Sequence, residues 1–139
     1  MPSTSFPFAT EDAYQFPNHY LNLAYILIEN GHLNNALPYL EALQHYYFFA
    51  DMNVTIQNLL GSCYIKSSQF DKAIQAFTRA LSTNPDYPPA LANRARVYQR
   101  TGQIDLSLQD WDKAVALEPQ NSGFKAEWEA VLAQARPKN

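Results

Sequence analysis

Leu60-Gly61-Ser62-Cys63-Tyr64, followed by Ala73, Phe77, Ala80 and Pro85, recurs 34 positions later as Arg94-Ala95-Arg96-Val97-Tyr98, followed by Ser107, Trp111, Ala114 and Pro119. Small residues fall on small ones, aromatics on aromatics and proline on proline. A fixed period of 34 with this spacing marks an array of helix–turn–helix units. The spacing has a physical cause. Tyr64 lies one helical turn beyond Leu60, so the two share a face of the first helix of the unit, A. Gly61, and Ala95 in the next unit, sit where the second helix, B, comes close, so any side chain beyond a methyl would hold B off. Ala73 and Ala80 play the same part on B. Phe77, with Trp111 as its counterpart, fills the volume between them. Pro85 and Pro119 follow B and stop it, because proline cannot donate the next backbone bond.

An earlier, diverged unit reads Leu23-Ala24-x-x-Leu27, Gly31, Ala36 and Leu40. Its Ala36 precedes Ala73 by 37 positions, and Phe48 stands where proline is expected. Three extra residues are therefore expected near Asp51-Met52-Asn53, with a longer B helix through His45-Tyr46-Tyr47-Phe48-Phe49. Beyond Pro119, Phe124, Trp128, Leu132 and Ala135 recur at helical spacing. In register, Trp128 and Leu132 match Leu60 and Tyr64, but the position that must be small is Glu129. A charge there leaves no seat for another B helix, so the array ends in a solubilising cap.

These residues resemble the tetratricopeptide repeat (TPR) family. The resemblance implies an all-α fold, a right-handed α-solenoid of three helix–turn–helix units plus a C-terminal capping helix. Residues 1–16, rich in proline and aromatics, are expected to form an extended aromatic arm. The units span 17–50, 54–87 and 88–121, and 122–139 hold the cap and a short tail. In this family the second, fifth, ninth, twelfth and thirteenth residues of each unit line a concave groove. Those positions are Asn18, Leu21, Tyr25, Ile28 and Glu29 in the first unit. They are Thr55, Asn58, Ser62, Ile65 and Lys66 in the second, and Pro89, Ala92, Arg96, Gln99 and Arg100 in the third. Such a groove runs from apolar and aromatic at one end to basic at the other. It suits an extended peptide, whose backbone the amides pair with and whose side chains the pockets take.

Repeat domains that grip the acidic C-terminus of heat-shock chaperones carry a lysine and an asparagine at the fifth and ninth positions of the first unit. Here those positions are Leu21 and Tyr25, so the two-sided carboxylate clamp is absent, although Arg96 and Arg100 offer an acid a seat. The plan of three repeats plus a terminal helix is similar to that of the cytoplasmic chaperones of type III secretion, which hold an export substrate in the groove. A scaffold or assembly adaptor in a larger complex, or a regulatory subunit of an enzyme, fits the same residues. Each is a non-enzymatic module that binds a protein or peptide.

Composition points the same way. The chain has 139 residues, 47% apolar and 17% charged, as for one ordinary globular domain. No apolar run approaches the roughly 18 residues of a membrane span. The start Met1-Pro2-Ser3-Thr4-Ser5 lacks a basic signal region, and the single Cys63 suits a reducing compartment, so a cytoplasmic location is expected. Cys63, beside Tyr64 in helix A, is expected to be buried and apolar in role.

Charge is uneven. All ten basic residues lie from Lys66 onward, whereas twelve aromatics fall within residues 1–65. With a pI near 5.5 and no basic stripe, nucleic-acid binding is not expected. Phe6, Phe8, Tyr14 and Phe16 suit an arm that packs on the first repeat, lies in the groove, or joins a second subunit as a homodimer, the alternative being an unpacked tail.

Catalytic signals are weak. His19, His32 and His45 are thirteen apart and share no helix face at metal-ligand spacing. No glycine-rich loop or nucleophile–base motif is present. Asp105, Asp110 and Asp112 fall on a helix beside Lys113 and read as surface. No metal or cofactor is expected.

Overall fold

The computed structural model describes residues 17–46 and 50–136, without the side chains at 45–46 and 50–52. Among the described residues there are seven helices and no strand. They are α1 (Pro17–Glu29), α2 (Leu33–Tyr46), α3 (Ala50–Lys66), α4 (Phe70–Thr83), α5 (Pro88–Arg100), α6 (Ile104–Leu117) and α7 (Ser122–Ala135). The main packing pairs are α1 with α2, α3 with α4 and α5 with α6, each joined to the next pair, and α7 closes on α6. The first helices also touch in series, α1 with α3 and α3 with α5. This is a helical solenoid. The aromatic arm at 1–16, the segment 47–49 and the last residues, 137–139, lie outside the described residues.

Each hairpin turns in the same way. Gln69 N–H donates to the Tyr64 carbonyl at 2.8 Å and Ser68 N–H to the Ile65 carbonyl at 2.9 Å. His32 to Leu27 and Gln103 to Tyr98, both 2.8 Å, repeat the pattern in the outer units. The closure requires a left-handed residue just past the helix. Gly31 (φ 80°) and Gly102 (φ 79°) supply it without cost, whereas the middle unit uses Ser68 at φ 61°.

Phe77 and Trp111 are fully buried, as are Ala73, Ala80, Ala95 and Ala114 around them. At Gly61 the tolerance is tighter than the spacing suggested. A Cβ added there would run into the Phe77 ring, so even a methyl would force the ring to shift, whereas the equivalent residue of the next unit is Ala95. The three extra residues ahead of the second unit lie in α3, which begins at Ala50 and is 17 residues long. They lengthen an A helix. The described part of α2 ends at Tyr46 and is 14 residues long, as are α4 and α6, and the rest of the expected B-helix extension, 47–49, lies outside the described residues.

One expectation fails. Asp110 is not a surface acid but is 5% exposed. Arg94 grips it with two parallel bonds, Nε to Oδ2 and Nη2 to Oδ1, each 2.8 Å, and places Nη1 3.1 Å from the Thr78 hydroxyl. Burying a carboxylate is tolerable only with such a partner. The bond to Asp110 pushes the Arg94 guanidinium's pKa further up, against the lowering effect of burial.

Candidate functional site

The residues expected to line the groove divide into three groups. Ile28 and Ala92 are buried in the core and offer a ligand almost no surface. Leu21 and Ile65 are half-buried against the two apolar clusters. Asn18, Tyr25, Glu29, Lys66, Pro89 and Arg100 are exposed, while Thr55, Asn58, Ser62, Arg96 and Gln99 are half-exposed.

Tyr25 is the large apolar member of the exposed group, with 45% of its surface open. Its phenol lies near that of Tyr87, whose hydroxyl is pushed up in pKa first by burial and then by Tyr25. Tyr87 is the residue just ahead of α5. Tyr25 on α1 and Tyr87 just ahead of α5 are thus close enough to feel one another's charge. The 34-residue register contained no signal for Tyr87, because the residue ahead of a helix is not among the repeating small or aromatic positions.

A polar chain runs along the same side. Asn93 Nδ2 donates to Asn58 Oδ1 at 3.1 Å, and Arg96 Nη1 donates to Asn93 Oδ1 at 2.8 Å. Arg96 then pairs with Glu127 of the capping helix through Nη2 (2.8 Å) and Nε (3.0 and 3.2 Å). Gln99 Nε2 donates to Gln134 Oε1 at 2.9 Å. Asn93, one position beyond an expected groove residue, thus belongs to the polar chain. Ser62 donates its hydroxyl to the Asn58 carbonyl at 3.1 Å.

The basic end differs from expectation. Arg96 is held by Glu127, and its guanidinium lies 5.5 Å over the Trp111 ring. Arg100 lies 4.8 Å over the Phe70 ring. Lys66 remains exposed at the end of α3. The seat for an acid foreseen at Arg96 is filled by the chain's own carboxylate.

Cys63 is fully buried, and burial pushes its thiol up to about 11, so it stays protonated and unreactive at neutral pH. Among the described residues, no group of three or more His, Cys, Asp or Glu is placed to hold a metal ion, and no helix is long and apolar enough to cross a membrane.

Fold and site together define a helical-repeat solenoid with an aromatic and amide-lined face on its first helices. Family models described as tetratricopeptide repeat match residues 19–44, 54–87 and 76–109, together more than half of the chain. The chain belongs to the tetratricopeptide repeat family.

Protein PHOX3 of Arabidopsis thaliana is 39% identical over 64 residues, covering 45% of this chain and 8% of the relative. Hsp70-Hsp90 organizing protein 2 of the same plant is 32% identical over 59 residues, 42% of this chain and 10% of the relative. The chain spans about a tenth of the length of these curated relatives.

Among solved structures, the C-terminal TPR domain of a Plasmodium falciparum FK506-binding protein superposes with a TM-score of 0.78 at 14% identity, covering 94% and 95% of the two chains. The first TPR of Spaghetti (RPAP3) bound to the HSP90 peptide SRMEEVD gives 0.78 at 18%, covering 88% and 98%. The Yersinia enterocolitica type III secretion chaperone SycD, with a peptide of the translocator YopD, gives 0.77 at 16%, covering 88% and 96%. At these identities the likeness is one of fold.

Proposed function

We propose that the face lined by α1, α3 and α5 binds an extended segment of a protein partner, without catalysis. The observation that carries this reading is Tyr25. It is an aromatic left 45% exposed on α1, with charge influence on Tyr87, while α3 and α5 carry the Asn58–Asn93 amide pair. A rigid aromatic together with amides has the chemistry of a peptide anchor: the ring takes an apolar side chain and the amides take backbone groups. The Asn58 side chain accepts through Oδ1, which leaves its Nδ2 to donate to a peptide carbonyl.

Two kinds of peptide-bound structure share the fold, one with an HSP90 peptide and one with a peptide of the translocator YopD. A cytoplasmic secretion chaperone and an assembly adaptor are narrower forms of the same proposal. They differ in the partner captured: a small export substrate favours the first, a stable large complex the second. The site is tested by a pull-down with mass spectrometry, followed by amide chemical-shift mapping with the captured partner's peptide. Shifts concentrated around Tyr25, Asn58, Tyr87 and Asn93 support the reading. Shifts confined to α2, α4 and α6 reject it.

A further inference from the structure

Of the cations expected on this face, Arg96 is already bound by a carboxylate. Glu127 presents both oxygens to Nε and one to Nη2, Asn93 takes Nη1, and Trp111 lies beneath the guanidinium. We infer that Glu127 sets the specificity of the groove by occupying Arg96, so that the third-unit end selects a segment uncharged at that point and turns acidic peptides away.

This rests on the groove reading above and adds the chemistry of the ligand. An incoming carboxylate must displace Glu127 and then leave that charge unpaired beside its own. Like charges at such distances repel, and the repulsion acts as a filter against the wrong partner. Glu127 cannot simply swing aside with its helix. Val131 is fully buried, Phe124 packs edge-on against Trp111 with ring centroids 5.6 Å apart, and Trp128 Nε1 donates to Asp112 at 2.8 Å. These contacts hold α7 independently of the ion pair, which is itself about two-fifths exposed at both partners. Removing the charge of Glu127 therefore frees Arg96 and leaves the fold in place.

The probes are the HSP90 peptide SRMEEVD and a neutral analogue with glutamine and asparagine for its acids and an amidated end. Fluorescence polarisation at low salt compares the full chain, Glu127→Gln, and Arg96→Ala/Glu127→Gln. The expected result is that Glu127→Gln binds the acidic peptide at least fivefold more tightly than the unaltered chain. That gain disappears in the double variant and in high salt, and affinity for the neutral peptide is the same in the unaltered chain and in Glu127→Gln. Unaltered melting curves certify the fold. Two results overturn the inference: an unaltered chain that already prefers the acidic peptide fivefold, or a folded Glu127→Gln chain with no gain. The groove reading itself is judged separately, by Tyr25 and the captured partner, so the two fail on different measurements.

Discussion

The second and third units place different chemistry at the same points of one frame. Where the second has Leu60 on its A helix and Ala76 on its B helix, both buried in the apolar core, the third has Arg94 and Asp110 joined by two 2.8 Å bonds. Where the second has Gly61 under Phe77, the third has Ala95 with Trp111. Where the third turns on Gly102, the second turns on Ser68. The repeat fixes volumes and backbone path, and leaves each unit free to fill them with apolar or ionic groups.

The largest effects belong to the wedges the two units share. Phe77→Ala and Trp111→Ala are each expected to cost about 3–5 kcal/mol in chemical denaturation, because both rings are fully buried. Trp111→Ala should be the more severe, since Trp111 also supports Phe124 of the cap and lies under Arg96. A loss under about 0.5 kcal/mol in either would break the register on which the comparison stands.

Next comes the ionic pair. Asp110→Ala leaves Arg94, only 19% exposed along its side chain, without its partner, and should cost about 3 kcal/mol. Installing the second unit's residues, Arg94→Leu with Asp110→Ala, should bring stability back to within about 1 kcal/mol of the starting chain or above it. If the double variant is as unstable as the single one, the two units are not interchangeable at this point.

Smaller effects sharpen the remaining differences. Gly61→Ala should destabilise by about 1–3 kcal/mol through overpacking against Phe77, the reverse of what glycine-to-alanine does in an open helix. Ser68→Gly should stabilise by about 1 kcal/mol, because it gives the middle turn the residue its neighbours use at a left-handed φ. Thermal melts of the two variants should move in opposite directions.

The fold was legible because its determinants repeat. Gly61, Phe77, Trp111 and the prolines stand at fixed spacing whichever residues lie between them. The site was legible only where it follows the repeat, as at Tyr25 and Asn58. Arg94 with Asp110, and Arg96 with Glu127, join residues on different helices at separations outside the repeat itself. A faint signal for the first pair existed, since Leu60 and Ala76 become charged together in the next unit, but a charge on a helix reads as surface until its partner is seen. Glu129 is exposed, as its charge at a position otherwise small leads one to expect. Glu127, two residues earlier, stands at no repeating position, so the sequence carries no signal for its pairing with Arg96. The inserted residues ahead of Val54 shifted no core position, because α3 absorbed them at its start.

The claim that the concave face is the binding surface is tested most directly by isothermal titration of Tyr25→Ala against the captured partner. Tyr25 is 45% exposed and wedges no helix pair, so the variant should melt like the parent chain. The account predicts affinity weaker by about 1–3 kcal/mol, the scale of an aromatic anchor in an interface. Parental affinity in a folded Tyr25→Ala chain would contradict it and move the partner to another face of the solenoid.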